Sequence, residues 1–207
     1  MNPTSWLPSK IVCVGRNYAA HARELGNEVP SEPLLFLKPP SAIVMDGDYI
    51  VLPPESRQVE YEGEIGVIVG QKLRRATEAE AAAAVAALVA VNDVTARDLQ
   101  RSDSQWTRAK GFDTFCPVGE PGAVPGDLAA IELVTRVNGQ VRQRASSGDM
   151  IFSIPFLLAY ISRIMTLLPG DLVATGTPAG VGPLQPGDEV EVEVAGSLRV
   201  RNRVRSE

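Results

Sequence analysis

The chain has 207 residues, of which 44% are hydrophobic and 22% are charged, and its formal net charge at pH 7 is −5. This acidic balance argues against a nucleic-acid partner, and no apolar run approaches the ~20 residues that a membrane-spanning helix needs. We therefore expect one globular domain over residues 1–207, with a sizeable core and neither nucleic acid nor membrane as a partner.

In chain order, the N-terminus comes first. Residues 1–5, Met-Asn-Pro-Thr-Ser, lack the basic and apolar regions of a signal peptide. Cys13 and Cys116 are the only cysteines, and they fit neither a disulfide framework nor a CxxC metal site. Reduced thiols without an export signal predict a cytoplasmic location.

The first half of the chain predicts short strands and a helix. Apolar runs at residues 11–14 and 34–37 and the alternating segment 60–69 indicate strands. The segment Thr77-Glu78-Ala79-Glu80 is a capping box, so an alanine-rich helix is expected to begin there. That helix gives way to a strand that ends at Asp93.

The second half predicts a hairpin, a helix and two paired strands. Asn138-Gly139 separates two strand-forming runs and suits a type I′ turn. Ser153 can cap a helix that runs to about Ile164. Alternating valines at 190–194 predict a half-buried strand paired with 198–204. Because strands outnumber helices and do not alternate with them regularly, we expect a strand-rich α+β fold rather than a doubly wound sheet.

Three carboxylates in the first half indicate a metal site. Glu62 and Glu64 are two residues apart on the predicted strand, so their side chains point the same way, with Cα atoms ~7 Å apart. Asp93 follows the apolar run 86–91, where an unpaired charge would be costly. Oxygen ligands of this kind suit Mg²⁺ or Mn²⁺ with sites left open to water or substrate. The pattern indicates a metal-dependent enzyme.

The same residues also allow structural interpretations. The glutamates of segment 60–64 could form the solvated face of an amphipathic strand. Asp93 could instead form a structural salt bridge with Arg97 or Arg16. The pattern alone leaves the metal site and these structural roles open.

Two further groups could take part in chemistry. His21 is the only histidine, and helical spacing places Glu24 beside it, where a carboxylate would orient the imidazole and raise its basicity. By pattern alone, an incidental pair on a surface helix is the simpler interpretation. Lys110 would ordinarily be a solvated lysine. The Gly/Pro loop at 175–182 lacks the Gly-Lys-Ser/Thr ending of a P-loop.

Several motifs, in this order, resemble the fumarylacetoacetate hydrolase family, particularly its small single-domain members such as acylpyruvases and oxaloacetate decarboxylases. The resemblance covers residues from about 9 to 204. The motifs that carry it are Gly15-Arg16-Asn17-Tyr18 with His21 and Glu24, Glu32-Pro33 with Phe36-Leu37-Lys38-Pro39, the Glu62/Glu64 pair, Asp93 to Gln100, Trp106 to Lys110, Asp149-Met150-Ile151-Phe152, and Gly170-Asp171 with Thr175-Gly176-Thr177-Pro178.

The resemblance implies a mixed β-roll with a few flanking helices, usually in a homodimer. It also implies one Mg²⁺ or Mn²⁺ ion, which a 2-oxo acid substrate would chelate. The roles that it implies are metal binding by Glu62, Glu64 and Asp93, activation of water by His21 with Glu24, stabilisation of negative charge by Lys110, and substrate contacts by Arg97, Gln100 and Thr177.

Three functions remain open from the sequence. The first is hydrolysis of acylpyruvate-type 2,4-dioxo acids, such as fumarylpyruvate, to pyruvate and a carboxylic acid. The second keeps the metal site but makes the protein an oxaloacetate decarboxylase, or a 2-hydroxy-dienedioate isomerase or decarboxylase in aromatic catabolism. The third is a non-catalytic binding module, which predicts no bound metal.

Overall fold

Fifteen strands and five α-helices are found in residues 7–24, 26 and 28–207, the part of the chain that this computed structural model describes. The predicted absence of a signal peptide rests on residues 1–5, which lie outside the described residues. The strands are β1 (Ile11–Gly15), β2 (Leu34–Lys38), β3 (Ile43–Val44), β4 (Tyr49–Leu52), β5 (Val59–Tyr61), β6 (Gly63–Val69), β7 (Val85–Asn92), β8 (Thr95–Ala96), β9 (Cys116–Pro117), β10 (Glu132–Val137), β11 (Gln140–Ser146), β12 (Leu172–Ala174), β13 (Gly182–Pro183), β14 (Glu189–Val194) and β15 (Leu198–Ser206). The helices are α1 (Ala19–Glu24), α2 (Glu78–Ala83), α3 (Arg97–Ser102), α4 (Thr107–Lys110) and α5 (Ile154–Ile164).

Two mixed five-stranded sheets form the body of the fold. The first sheet has the order β2-β1-β12-β6-β7, in which only β1 and β12 run parallel. The second has the order β11-β10-β14-β15-β4, in which only β15 and β4 run parallel. A three-stranded sheet (β13-β5-β8) and a parallel pair (β3 and β9) complete the set. The strand-rich α+β prediction is therefore confirmed, whereas one domain over residues 1–207 stays a prediction.

Apolar side chains cover both faces of the first sheet. On one face, Val12 and Ile65 belong to a core that also includes Leu133 and Val192 of the second sheet. On the other face, a separate cluster contains apolar residues of β1, β6, β7 and β12: Ile11, Cys13, Ile68, Val89, Val91, Leu172 and Ala174. A polar side chain on either face is therefore shielded from water, and this burial sets the environment of the carboxylates on β6.

The local signals read from the sequence are confirmed. Thr77 caps α2 in a complete capping box, and the side chain of Ser153 accepts a hydrogen bond from Phe156 N at the start of α5. Asn138 and Gly139 have φ angles of +52° and +77°, as a type I′ turn between β10 and β11 requires.

The single strand predicted over residues 60–69 is wrong, because the chain changes sheets at Glu62. β5 pairs with β8 and β13, whereas β6 pairs with β7 and β12. Between them, Glu62 N donates to Asn92 Oδ1 at 3.0 Å, and Asp93 N donates to Glu62 O at 2.8 Å. The break therefore ties Glu62 directly to the end of β7.

Candidate active site

A small cavity of about 40 Å³ lies at one end of the first sheet, beside α1, α3 and α4. Eight of the nine site residues expected from the sequence line it, and the ninth, Glu24, contacts one of the eight, His21. The lining residues are Val14, Gly15, Arg16, His21, Phe36, Glu62, Glu64, Asp93, Arg97, Gln100, Trp106, Lys110 and Thr177. Residues that are up to 163 positions apart in the sequence therefore converge on one cavity.

The three carboxylates predicted as metal ligands lie together. Oxygen atoms of Glu62, Glu64 and Asp93 are all within 4.8 Å of one another. The three residues are only 4%, 1% and 1% exposed, so the solvated-face interpretation of the glutamates is wrong. Its physical reason is the apolar cover on both faces of the first sheet. Gly176 N also donates to Glu64 Oε2 at 2.8 Å, which holds that carboxylate against the loop after β12.

Buried cations face these carboxylates. Lys110 Nζ lies 2.8 Å from Glu62 Oε2 and 2.5 Å from Asp93 Oδ2, and Lys110 is 1% exposed. Arg97 contacts Glu62 Oε1 at 2.5 Å and Glu60 Oε2 at 2.8 Å. The expectation of a solvated Lys110 is therefore wrong. The alternative of a structural salt bridge between Asp93 and Arg97 or Arg16 is also wrong, since the cations at Asp93 are Lys110 and Lys38.

The ionisation of the glutamates follows from these contacts. Burial raises the pKa of Glu64 well above its usual range, and the negative charges of Asp93 and Glu62 raise it further. Burial opposes ionisation of Glu62 as well, but the charges of Lys110 and Arg97 outweigh it and lower the pKa of Glu62. Neighbouring positive charge thus favours ionisation of Glu62, whereas Glu64 has too little positive charge beside it to offset its burial and the nearby carboxylates.

The arrangement suits a divalent cation. Lys38 Nζ lies 2.6 Å from Asp93 Oδ1, but outside hydrogen-bonding geometry, so this buried oxygen has no hydrogen-bond donor in the described part of the chain. A cation held by the three carboxylates would offset the repulsion that raises the pKa of Glu64. The all-oxygen donor set fits Mg²⁺ or Mn²⁺, with Glu62, Glu64 and Asp93 as the protein ligands.

His21 lies between the cavity and a carboxylate. The residue is 4% exposed, and its Nδ1 atom lies 3.2 Å from Glu24 Oε2. Gly180 N donates to both Glu24 oxygens, at 3.0 and 3.3 Å, which anchors the carboxylate to the loop before β13. With Nδ1–H donating to Glu24, a neutral imidazole has Nε2 as a proton acceptor. The incidental surface pair is therefore wrong.

The three residues predicted to contact the substrate differ in the hydrogen-bonding groups that have no partner among the described residues. Arg97 Nη1 donates to Gln100 Oε1 at 2.5 Å, which orients that amide and leaves its NH₂ group without an acceptor in the described chain. Thr177 Oγ1 donates to Gly63 O at 2.9 Å and accepts from Gln143 Nε2 at 2.8 Å. Gln100 can therefore donate to a ligand, whereas the Thr177 hydroxyl retains only a lone pair.

No role was predicted from the sequence for Lys38, although its ammonium group contacts several parts of the site. Its ammonium group donates to Val94 O at 3.0 Å and to Lys110 O at 2.7 Å, besides lying beside Asp93. Lys38 thus links Asp93 and Val94, which follow β7, to Lys110 at the end of α4. The only sequence signal is its position in the motif Phe36-Leu37-Lys38-Pro39, which says nothing about its partners.

Comparison with known protein families identifies the family of this chain. The family model described as fumarylacetoacetate (FAA) hydrolase C-terminal matches residues 10–205. The chain belongs to the fumarylacetoacetate hydrolase family. Its carboxylates, buried lysines and His21–Glu24 pair are thus features of a member of an enzyme family.

Members of the fumarylacetoacetate hydrolase family that resemble this chain carry names for different reactions. Oxaloacetate decarboxylase, mitochondrial, of Dictyostelium discoideum is 45% identical, over 90% of this chain and 89% of its own length. The structure of 2-hydroxyhepta-2,4-diene-1,7-dioate isomerase from Mycobacterium marinum is 44% identical, with a TM-score of 0.89, over 98% of this chain and 76% of that one. Fumarylpyruvate hydrolase from Pseudomonas aeruginosa, solved in complex with Mn²⁺ and pyruvate, is 32% identical with a TM-score of 0.90, over 97% and 91% of the two chains.

None of the helices in the described residues is long and apolar enough to cross a membrane.

Proposed function

We propose that this protein is a divalent-cation-dependent enzyme that hydrolyses the carbon–carbon bond of acylpyruvate-type 2,4-dioxo acids, such as fumarylpyruvate, to give pyruvate and a carboxylic acid. The observation that carries the proposal is the position of the His21–Glu24 pair on the same small cavity as the three buried carboxylates. Hydrolysis needs both a base for water and a site that tolerates negative charge on the departing pyruvate.

Glu62, Glu64 and Asp93 would hold the cation. Mg²⁺ or Mn²⁺ bound there supplies Lewis-acid polarisation of the carboxylate and keto oxygens of a 2-oxo acid. The protein side chains contribute the remaining steps, which concern proton transfer, orientation and charge.

His21 acts on the water. Glu24, anchored by Gly180, accepts from Nδ1–H and leaves Nε2 to remove a proton from a water molecule in the cavity. The oxygen of that water attacks the carbonyl carbon distal to the 2-oxo acid, and the carbon–carbon bond breaks with its electron pair going to the pyruvate side. The proton held by His21 is then available to the departing carbon.

Lys110 stabilises negative charge on the substrate, and Arg97 orients neighbouring side chains. Lys110 lines the cavity, and its Nζ atom lies 4.7 Å from the centroid of the Phe36 ring. The ammonium group is therefore held where it can stabilise negative charge that develops on the substrate. Arg97 fixes Glu62 and Gln100, which leaves the Gln100 amide free to donate to a substrate oxygen.

The test is His21→Ala, assayed with fumarylpyruvate and Mg²⁺. We expect hydrolysis to fall by about 10²–10⁴-fold, which is the usual contribution of a general base, while Mn²⁺ binding measured by calorimetry stays unchanged. Arg23→Ala, an exposed position on the same helix, is the matched control and should retain full activity. Undiminished hydrolysis by His21→Ala would remove the proposed role of the pair.

A second candidate is oxaloacetate decarboxylation, and one observation favours it. The decarboxylase from Dictyostelium discoideum is more similar in sequence than the fumarylpyruvate hydrolase, at 45% against 32% identity. Isomerisation or decarboxylation of a 2-hydroxy-dienedioate is the corresponding proposal from the Mycobacterium marinum structure.

Assaying one purified sample with fumarylpyruvate, oxaloacetate and a 2-hydroxy-dienedioate, with and without EDTA, separates these reactions. Turnover of oxaloacetate alone would replace the first proposal with the second. A cytoplasmic location, a homodimeric assembly and the absence of a nucleic-acid partner stay predictions.

A further inference from the structure

Arg16 is a cation at the cavity whose role the proposed reaction does not explain. It lines the cavity, and its guanidinium carbon lies 5.9 Å from the centroid of the Trp106 ring. The other cations at the cavity, Arg97 and Lys110, are bound to carboxylates. Across the described residues, by contrast, no carboxylate forms an ion pair with Arg16. Its guanidinium group therefore remains available to an anionic ligand.

The backbone that carries Arg16 is held by the next residue, Asn17. Arg16 has a φ of +59°, a region that residues other than glycine rarely adopt. Next to it, Asn17 is fully buried, and its side chain bonds Phe152 O at 3.1 Å, Thr175 O at 2.8 Å and Phe152 N at 2.9 Å. These contacts fix the unfavourable conformation at the cavity wall.

Trp106, the platform under the guanidinium, is also fixed. A Cβ atom at Gly15 would lie only 3.0 Å from the indole, so the absence of a side chain there lets the ring approach β1 closely. Phe36 packs edge-on against the same ring, with centroids 5.4 Å apart. A guanidinium held over a fixed indole keeps its planar N–H donors oriented for a carboxylate.

Charge balance indicates how many carboxylates a ligand brings. The buried charged side chains around the cavity are four carboxylates and three cations: Glu60, Glu62, Glu64, Asp93, Arg97, Lys110 and Lys38. A divalent cation turns this set from one negative charge to one positive charge, which the carboxylate of any 2-oxo acid offsets. Arg16 then contributes one further positive charge, which a second carboxylate on the ligand would match.

We propose that Arg16, supported by Trp106, binds the distal carboxylate of the substrate and makes the site selective for dicarboxylic 2-oxo acids over monocarboxylic ones. This inference rests on the proposed function, since it assumes that a 2-oxo acid occupies the cavity. Arg16 is a specificity residue in this scheme and takes no part in bond cleavage.

The test is binding by calorimetry to the Mg²⁺-loaded protein, with matched acids that differ only in the distal group. The pairs are 2-oxoglutarate with 2-oxopentanoate and 2-oxoadipate with 2-oxohexanoate. For at least one pair, we expect the dicarboxylic acid to bind at least tenfold more tightly, because charge-assisted bidentate hydrogen bonds are strong. In Arg16→Gln, that preference should fall below about threefold, while the monocarboxylic acids keep their affinity.

Two controls show whether the effect belongs to the guanidinium. Arg23→Gln removes a nearby exposed positive charge that does not line the cavity, and it should keep the full preference. Arg16→Lys retains the charge without the planar fork and should restore only part of it.

Equal binding within both pairs by the native protein, or a preference that survives in Arg16→Gln, would overturn the inference. Binding is measured without turnover, so the two proposals fail separately. A protein that selects dicarboxylic acids but hydrolyses no dioxo acid contradicts the proposed hydrolysis alone, and one that hydrolyses dioxo acids without this preference contradicts the role of Arg16 alone.

Discussion

Two segments of this chain have the same alternation of glutamates and opposite surroundings. Residues 60–64 read Glu-Tyr-Glu-Gly-Glu, and residues 189–193 read Glu-Val-Glu-Val-Glu. In the first segment all three glutamates are buried, and two of them face a cavity with Asp93. In the second, the glutamates lie on the outer face of β14 while Val190 and Val192 enter the core.

The outer segment is a regular amphipathic strand. Each of its glutamates is opposite an arginine of β15, in the pairs Glu189–Arg203, Glu191–Arg201 and Glu193–Arg199. These arginines are 51–71% exposed, so they form a solvated basic face on the C-terminal strand. Such pairs contribute little stability each, since water and salt screen them.

The inner segment differs in the residues between its glutamates. Gly63 lets the second sheet approach closely, since a Cβ atom there would lie 1.9 Å from Thr135 Oγ1. Tyr61 uses its hydroxyl to donate to Gly180 O at 2.8 Å. The comparison shows that alternating glutamates take their role from the residues between them and from the partners of the strand.

The largest expected difference between the two segments is in activity. Glu62→Gln removes one ligand of the proposed cation, and we expect turnover to fall by about 100-fold or more, since even partners outside the ligand shell cost about 10–100-fold. Glu191→Gln makes the same chemical change on the outer strand and should leave turnover intact. Steady-state kinetics with Mg²⁺ checks both.

Folding is not expected to explain the loss in Glu62→Gln. Lys110 retains Asp93, and Arg97 retains Glu60, so no buried cation is left without a carboxylate. Circular dichroism and thermal unfolding provide the check. Comparable losses in Glu62→Gln and Glu191→Gln would remove the functional distinction between the two segments.

Mg²⁺ or Mn²⁺ should stabilise the folded protein through the inner segment and not through the outer one. At 100 times its dissociation constant, an ion that binds only the folded state raises the free energy of unfolding by about 2.7 kcal/mol. We expect this gain with Mg²⁺ or Mn²⁺ for the native protein and for Glu191→Gln, but not for Glu64→Gln. Urea unfolding with and without the chloride salt, at matched ionic strength, measures it. A native protein indifferent to both ions would exclude the proposed site.

Gly63→Ala tests the close approach of the two sheets. The added methyl would overlap Thr135 Oγ1, and overpacking of a core typically costs about 1–3 kcal/mol. Thr135→Ala removes that oxygen, which has no hydrogen-bond partner in the described chain. The double variant should therefore regain most of the free energy of unfolding lost in Gly63→Ala. Additive losses in this double-mutant cycle would show that another contact is responsible.

The elements predicted well from sequence are those set by local chemistry. The Thr77 capping box, the Ser153 cap and the Asn138-Gly139 turn each depend on residues within a few positions, and the structure has all three. The convergence of the nine site residues could also be predicted, because the family motifs that contain them occur together in the sequence.

The partners of the buried charges could not be predicted, because they depend on distant contacts. On β2, Leu37 is 49% exposed while Lys38 is 1% exposed, the reverse of what hydropathy predicts. Lys38 is buried because Val94 O, Lys110 O and Asp93 surround its ammonium group, and these lie 55 or more positions away. The break at Glu62 likewise depends on pairing with strands β8, β12 and β13.

The smallest expected effect is on the outer strand itself. Burial alone would raise the pKa of Glu191, but the hydrogen bond and charge of Arg201, with the charges of Arg199 and Arg136, outweigh it and hold the pKa below the ordinary value of 4.5. A carboxyl with a lowered pKa in the folded state stabilises the protein above its unfolded pKa, and this contribution is lost as the pH falls through the folded value.

Glu191→Gln should therefore lower the free energy of unfolding at pH 7 by less than about 1 kcal/mol, the usual size for exposed ion pairs. The difference from the native protein should disappear below the lowered pKa of Glu191, and it should shrink at pH 7 in 1 M salt, where the screening length is about 3 Å. Urea unfolding at pH 7 and at a series of lower pH values, with low and high NaCl, measures these differences. A penalty that is large and insensitive to salt would mean that the glutamates of β14 are held as tightly as those around the cavity, and the contrast between the two segments would then be one of location alone.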